Sequence, residues 1–254
     1  MLLAIDIGNT NTVIGVFDGE NLKYKFRLST NHFDTSDEIS FKLSGLLEQK
    51  NVPANKLSSI IICSVVPHLT GHYIELSRSG FKLTPLIVGP GIKTGISILY
   101  DNPREVGADR VANAVGGFKL FGGPLIVVDL GTAITFDAVS AKGDYMGGAI
   151  APGIETSMSS LVKKAAQLTE VSLFRPDKVI GKNTIESMQS GSAYGFAGLV
   201  DAIVNRMKSE IGGNPKTIAT GGHCVWIQGL CETVDDVSPD LTLWGLYYIY
   251  LQNK

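Results

Sequence analysis

Two aspartates in the chain share the same local setting. Asp6 and Asp129 each end a short apolar run, "LLAID" and "LIVVD", and each is followed by an apolar residue, a glycine and then Asn9 or Thr132. Backbone N–H groups of a small-residue turn can bind phosphate oxygens, and a nearby carboxylate can hold the accompanying cation. One Asp–Gly turn alone is also a common hairpin signal. Two matched copies favour a nucleotide-phosphate site.

A third carboxylate stands beside an arginine. Asp109 and Arg110 lie in "EVGADR", which runs into a stretch of small residues that indicates a helix. A positioned carboxylate can act as the base for phosphoryl transfer to an alcohol, and the planar guanidinium of Arg110 suits an anionic group. An acid beside an arginine at a helix start is also frequently an exposed surface pair. Both interpretations stay open on these residues alone.

Other motifs limit the kinds of ligand site that the chain could form. Gly221 and Gly222, in "ATGGHCVW", fall between a predicted strand and a predicted helix, which suits close approach of adenine or a phosphate, or a plain turn. "GPGIKTG" and "VIGKNT" both depart from the usual phosphate-loop motif. His68 and His72 have helical spacing but no third ligand, so structural zinc is not supported. A nucleotide would therefore bind through the paired hairpins.

The elements that position these residues follow from the apolar pattern. "LLAID", "NTVIGVFDG" and "NLKYKFRL" predict three consecutive strands. "TSDEISFKLSGLLEQK" predicts a helix, because Thr35 and Glu38 have capping-box spacing. "LSSIIICSVV" predicts a buried strand, "PHLTGHYIELSRSG" a helix and "LTPLIVG" another strand. This alternation predicts an α/β architecture.

The second half repeats this plan. The segment that holds Asp129 predicts three strands, and "GIETSMSSLVKKAAQL" and residues 183–211 predict helices. "PKTIAT" predicts a strand, "GGHCVWIQGL" a helix, and "DLTLWGLYYIYL" a buried closing helix. A duplicated unit predicts two similar domains, residues 1–118 and 119–254, with the two Asp–Gly turns facing each other across a cleft.

Composition excludes several partners. The net charge of −2 provides no basic field for nucleic acid. Three cysteines are too few for a disulfide framework, and the N-terminal apolar run stops at Asp6, unlike a signal peptide. We therefore expect a cytoplasmic protein that binds neither nucleic acid nor a membrane.

The motifs together are similar to those of one family. "DIGNTNT", "DNPREVGADR", "VDLGTAITFD", "GGAIAPG" and "TGGH" resemble the type III pantothenate kinases, in order and over nearly the whole chain. The resemblance implies duplicated ribonuclease H-like (actin-like ATPase) domains, each a mixed sheet with flanking helices. It also implies a homodimer that phosphorylates pantothenate with ATP and Mg²⁺, the first step of coenzyme A biosynthesis.

The resemblance further implies a role for each matching residue. Asp109 would be the proton acceptor, Asp6 would lie near magnesium, and Asp129 would bind a monovalent cation, K⁺ or NH₄⁺. Contacts to ATP are implied for Asp6, Ile7, Gly8, Asn9, Thr10, Asn11, Thr12, Val13 and Thr132. Contacts to pantothenate are implied for Tyr100, Gly107, Ala108, Asp109, Arg110 and Thr184.

Three alternatives accompany this hypothesis. Regulatory accessory factors that resemble the family bind without catalysing, although such a module need not keep a base beside a phosphate site. A kinase of another small alcohol would share the fold and the aspartate base. An ATP-driven switch of the actin type fits poorly, since 254 residues leave little room for extra subdomains.

Overall fold

The chain forms two compact units. The computed structural model describes residues 1–254. Unit 1 comprises Met1–Ser97, Asp101–Lys119 and Leu241–Lys254, and unit 2 comprises Ile98–Tyr100 and Leu120–Asp240. The predicted second domain, 119–254, includes the last helix, which by its contacts belongs to unit 1.

Ten strands and seven helices make up these units. The strands are β1 (Leu2–Ile7), β2 (Asn11–Asp18), β3 (Asn21–Ser29), β4 (Ser59–Ser64), β5 (Leu86–Ile87), β6 (Leu125–Leu130), β7 (Ala133–Val139), β8 (Tyr145–Pro152), β9 (Lys216–Thr220) and β10 (Asp236–Val237). The helices are α1 (Ser36–Gln49), α2 (Pro67–Ser79), α3 (Ala108–Phe121), α4 (Ile154–Lys164), α5 (Thr184–Ile211), α6 (Cys224–Ile227) and α7 (Leu241–Gln252). None of the helices is both long and apolar enough to cross a membrane.

Unit 1 is built on a five-stranded mixed sheet with the order β3-β2-β1-β4-β5. The first three strands pair antiparallel, whereas β4 pairs parallel to β1. Alternate residues Leu3, Ile5 and Ile7 join a core that includes α1 and α2. Helix α7 packs against β1, β2 and β4. Because side chains alternate along a strand, Asp6 projects from the face opposite Ile5 and Ile7.

Unit 2 repeats this topology, as the duplication predicted. Its sheet has the order β10-β9-β6-β7-β8, with β6, β7 and β8 antiparallel and β9 parallel to β6. Ile126, Val128 and Leu130 join the core with α5, so Asp129 projects from the opposite face of its strand. Each aspartate therefore holds the same position in its sheet.

The two turns differ in length. The last paired residues are Ile7 and Thr12 around the first turn, and Leu130 and Ile134 around the second. The second turn is one residue shorter. Residues at equal distances after the two glycines therefore pair at different positions in their sheets.

Most predicted elements are present, and the differences are at weakly patterned segments. Helix α1 has the predicted capping box between Thr35 and Glu38, and Asn183 caps α5 through its side chain. The strand predicted from "LTPLIVG" is present only as the two residues Leu86–Ile87. The helix predicted from "GGHCVWIQGL" is the single turn α6, and the two-residue strand β10 has no sequence signal.

Helix α7 is the buried closing helix that the sequence predicted. Its close packing on α3 depends on glycines, since a Cβ on Gly116 would lie 2.6 Å from the Leu241 carbonyl oxygen and a Cβ on Gly245 would overlap the Ala112 carbonyl. Phe17 of β2 stacks on Tyr247 of α7 at 4.8 Å between ring centroids. This packing covers the sheet face from which Asp6 projects.

Candidate active site

The turn after β1 is closed by its glycine. The Gly8 amide donates to the Asn11 carbonyl at 3.0 Å, and a Cβ on Gly8 would lie 2.9 Å from that oxygen. Asn9 and Thr10 are exposed, whereas the side chain of Ile7 is buried in the core. Of the predicted ATP contacts in Asp6–Val13, Asn9 and Thr10 are thus the most exposed side chains, and Ile7 can contribute only its backbone.

Asp6 and Asp109 lie near the same buried thiol. Cys63 on β4 pairs with Asp6 across the parallel strands and is fully buried. Burial raises the pKa of Cys63 most, and the negative charges of Asp6 and Asp109 raise it further. Such an effect requires proximity. The structure therefore brings together the carboxylate predicted near magnesium and the carboxylate predicted as the base.

Asp109 is held at the first turn of α3. Its Oδ1 accepts the Arg110 backbone N–H at 2.8 Å, and a Cβ on Gly107 would lie 2.5 Å from the same oxygen. Gly107 therefore leaves the room that this carboxylate conformation needs. Burial raises the pKa of Asp109, while the Arg110 N–H and the Arg110 charge oppose the rise. A raised pKa makes a carboxylate a stronger base.

Arg110 is not part of an exposed pair. It is 7% exposed, and the residues that follow it in α3 are buried through Gly117. The surface-pair interpretation of the "GADR" acid and arginine is therefore wrong. A buried guanidinium beside a partly buried carboxylate suits recognition of an anionic group.

The turn after β6 is surrounded by glycines. A Cβ on Gly221 would overlap Oδ1 of Asp129 and would lie 2.8 Å from the Leu130 backbone, and Gly221 has a φ of +88°. A Cβ on Gly153 would overlap the carbonyl oxygens of Gly131 and Thr132. Two glycines that are distant in sequence thus pack directly on this turn. The motifs "TGGH" and "GGAIAPG" meet the "DLGTA" motif here.

Thr132 and the "TGGH" residues have different surroundings. Thr132 is exposed, and its carbonyl accepts the Gly153 amide at 3.1 Å and the Thr156 hydroxyl at 2.7 Å. Gly222 is exposed, and the predicted helix that follows it is present only as the single turn α6. Gly221 contributes close backbone approach to Asp129.

Tyr100 belongs to unit 2. Its ring lies 3.7 Å from where a Cβ on Gly147 would be, and 6.3 Å from the Tyr145 ring between centroids. The Tyr145 hydroxyl donates to the buried Asp137 at 2.8 Å, and the Leu99 amide donates to the Tyr145 carbonyl at 2.8 Å. Tyr145 therefore anchors the short segment that carries Tyr100.

Thr184 is the first residue of α5 and is exposed. It lines a cavity of about 790 Å³ between α4 and α5. The other walls include Met158, Leu161 and Met188, with Lys182 and Asn183 at the polar end. Thr184 and Tyr100 lie in unit 2, whereas Gly107–Arg110 lie in unit 1.

Sequence reasoning missed three contributors to these sites. Cys63 follows an apolar run without any motif, and only the parallel register places it beside Asp6. Asp137 gave no signal in the strand pattern, although an acid inside an apolar strand is unusual enough to have marked it. Gly153 was noted only within "GGAIAPG", and its contact with the Thr132 carbonyl needs the fold.

Comparison with known proteins decides the family. The family model described as type III pantothenate kinase matches residues 2–206. The chain belongs to the type III pantothenate kinase family. One relative, a type III pantothenate kinase of Anaeromyxobacter sp. (strain Fw109-5), is 50% identical over 254 residues, which is 100% of both chains.

The solved structures agree with the fold. Component A of the (R)-2-hydroxyglutaryl-CoA dehydratase from Acidaminococcus fermentans has a TM-score of 0.59 at 16% identity, with 100% of this chain and 99% of that chain covered. The ROK hexokinase from Thermus thermophilus has a TM-score of 0.54 at 14% identity, with the same coverage. The type III pantothenate kinase chain thus has the duplicated ribonuclease H-like fold of actin-like ATPases and sugar kinases.

Proposed function

We propose that this protein transfers the γ-phosphoryl group of ATP to pantothenate and forms 4′-phosphopantothenate, the first step of coenzyme A biosynthesis. The observation that carries the proposal is the shared neighbourhood of Asp6 and Asp109 around Cys63, in a chain whose full-length relatives are named type III pantothenate kinase. A regulatory module has no need for a base beside a phosphate turn.

Asp109 acts as the general base. Its carboxylate accepts the proton of the primary hydroxyl of pantothenate, and the hydroxyl oxygen then forms a bond to the γ-phosphorus while the bond to the ADP oxygen breaks. The raised pKa of Asp109 supports this role, because proton acceptance is more favourable for a more basic carboxylate. The Arg110 amide holds Oδ1 of this carboxylate, and the absence of a side chain at Gly107 leaves room for it.

The first turn binds the phosphates, and Asp6 lies near magnesium. ATP supplies the phosphoryl group. Mg²⁺ is usually held by one or two carboxylates together with substrate phosphates, which fits a half-buried Asp6 at the base of an exposed turn. The proposed contacts extend from Asp6 to Val13, with Asn9 and Thr10 as the most exposed side chains.

The second turn binds the monovalent cation and contributes to the ATP site. Asp129 offers a carboxylate, and the space that a Cβ on Gly221 would fill is beside its Oδ1. Carboxylate and backbone carbonyl oxygens are suitable ligands for K⁺ or NH₄⁺. Thr132, Gly221 and Gly222 are the proposed ATP contacts of this turn.

Pantothenate carries a carboxylate that suits Arg110. Tyr100, Gly107, Ala108 and Thr184 complete the proposed substrate contacts. Because these residues come from separate segments, substrate positioning would account for much of the rate, as phosphoryl transfer depends mainly on orientation and charge neutralisation. We further propose that the protein is a homodimer and acts in the cytoplasm, where its three cysteines, none in a disulfide, remain reduced.

One assay tests the function. Purified protein is incubated with Mg²⁺, ATP and pantothenate, with K⁺ present or replaced by Na⁺, and 4′-phosphopantothenate is measured by mass spectrometry. We expect product only with pantothenate and a marked gain with K⁺. ADP formation with another small alcohol but not with pantothenate would identify a different kinase, and no nucleotide turnover at all would indicate a regulatory relative. Light scattering during gel filtration tests the dimer.

A further inference from the structure

The loop between β3 and α1, residues 30–35, forms hydrogen bonds to the first turn. The Thr30 amide donates to the Thr10 carbonyl at 2.8 Å, and the hydroxyls of Thr30 and Thr12 lie 2.9 Å apart. The His32 ring adds a third contact, since its Nε2 lies 3.1 Å from the Asn9 carbonyl oxygen. A carbonyl oxygen only accepts, so Nε2 of His32 carries the proton and donates.

His32 is itself held by α2. Its ring stacks on that of His68, with 5.3 Å between centroids and 30° between planes. Nε2 of His68 donates to the His32 carbonyl at 3.2 Å. The same loop is closed on the other side of His32, where Asn31 donates through its side chain to Asp34 at 2.8 Å. The His32 side chain thus projects from a fixed backbone toward the turn.

The contact to Asn9 controls the direction of one peptide group. In a trans peptide the C=O and the N–H point in opposite directions. Holding the Asn9 carbonyl on the His32 side therefore turns the Thr10 amide toward the other face of the turn. Backbone amides of such turns are the groups that bind phosphate oxygens.

We propose that His32 is a positioning residue for nucleotide binding: through its Nε2–H bond to the Asn9 carbonyl, it orients the Asn9–Thr10 peptide for the ATP phosphates. The inference rests on the proposed function, because it assigns the turn to ATP. The Nε2–H bond is the part that matters, and the His68 stack keeps the ring in place to make it. His32 does not touch the reacting atoms.

Substitutions separate the hydrogen bond from the ring. His32→Phe keeps an aromatic ring on His68 but removes the donor, whereas His32→Gln keeps a donor without the ring. His72→Phe is the matched control, since Nδ1 of His72, on the same helix α2, contacts the hydroxyl of Ser36 at the start of α1 at 2.8 Å and does not contact the turn. The readouts are the Kd of Mg-ATP by calorimetry, KM for ATP and kcat, and hydrogen–deuterium exchange of peptides covering residues 5–14 without nucleotide.

We expect His32→Phe to raise the Kd and the KM for ATP roughly fivefold to tenfold, the effect of one lost hydrogen bond, with kcat within about twofold of wild type. Amide exchange in the turn should be faster. His32→Gln should recover most of the affinity, and His72→Phe should match wild type.

Three results would overturn the inference. His32→Phe could bind Mg-ATP as wild type does, His32→Gln could lose as much affinity as His32→Phe, or kcat could fall as far as the affinity. A wild-type protein that binds Mg-ATP but leaves pantothenate unphosphorylated contradicts the proposed substrate alone, since the Kd comparison still decides the role of His32. A wild-type protein that does not bind Mg-ATP contradicts both.

Discussion

Asp109 holds a negative charge in surroundings that disfavour it. Burial raises its pKa, and the neighbouring Arg110 only partly offsets that effect. The residue that the proposed chemistry needs is therefore one that the folded state would hold more easily without charge. Such a conflict between stability and function is common at catalytic positions.

The Asp109→Asn variant tests this conflict. We expect kcat to fall by about 10²- to 10⁴-fold, the usual contribution of a general base, while Mg-ATP still binds. A carboxyl group whose pKa is raised by folding opposes folding increasingly as pH rises through that pKa. The variant should therefore melt at a higher temperature than wild type at pH 8. The difference should shrink as the pH falls toward the unfolded carboxyl pKa of about 3.9.

Asp37→Asn is the control for this experiment. Asp37 also lies in the first turn of a helix, but it is exposed. It should change neither turnover nor the pH dependence of melting beyond a few tenths of a kcal/mol. Near-normal turnover of Asp109→Asn would remove Asp109 as the base, and a lower melting temperature at pH 8 would contradict the account of its burial.

At the residue scale, the sequence identifies the candidate site residues better than it predicts which residues lie beside them in the fold. Asp6, Asp109 and Asp129 are recognisable from local motifs, since each motif lies within a few residues. Cys63 is not, because its place beside Asp6 depends on which strand pairs with β1 and in which register. The same holds for His32, whose bond to Asn9 joins the loop after β3 to the turn after β1.

The two strand–turn–strand elements show what a duplication conserves and what it changes. Both present an aspartate on the face opposite the core, but the second turn is one residue shorter. The first turn is braced by the loop after β3, whereas the second is packed by glycines from the β8–α4 and β9–α6 connections. The same aspartate position is thus supported by hydrogen bonds from a loop in unit 1 and by close glycine packing in unit 2.

Gly221→Ala tests this packing. An alanine at φ +88° costs about 1–2 kcal/mol for the left-handed backbone alone, and its Cβ would also overlap the Asp129 carboxylate. We expect a clear fall in melting temperature and a loss of the response of activity to K⁺. Gly19→Ala is the matched control, since Gly19 has a φ of +62° with open space around it. If both variants melt alike and both respond to K⁺, the contact with Asp129 is not important.

Elements with strong local signals were predictable. The capping box at Thr35 follows from neighbouring residues and determines where α1 begins. For α5 the sequence indicates Asn183 or Thr184 as the cap, and the structure has Asn183. The short elements were not predictable, because β5, β10 and α6 depend on tertiary pairing rather than on their own propensity.

At the scale of the whole molecule, the chain order and the packing order differ. Helix α7 follows all of unit 2 in the sequence, yet it packs on β1, β2 and β4 and on α3 of unit 1. The sequence predicted that this helix is buried, since it is apolar on all faces. It could not predict which sheet the helix covers, because two sheets of the same topology were available.

A chain that ends after Asp240 tests the assignment of α7. Without the helix, apolar residues of β1, β2 and β4 lose their cover, so unit 1 should be open to protease while unit 2 stays resistant. Limited proteolysis with mass spectrometry should then give fragments within residues 120–240. A chain that lacks only the exposed Lys254 should resist protease throughout. Protection of residues 1–119 in the shorter chain would contradict this assignment.

The place of α7 has a consequence for synthesis. As the nascent chain leaves the ribosome, the strands of unit 1 emerge first but cannot be fully covered until the last helix follows. At about 5–20 residues per second, the wait is on the order of ten seconds. During that time the sheet that bears Asp6 exposes an apolar face, and a chaperone that binds such faces would meet this half of the protein first.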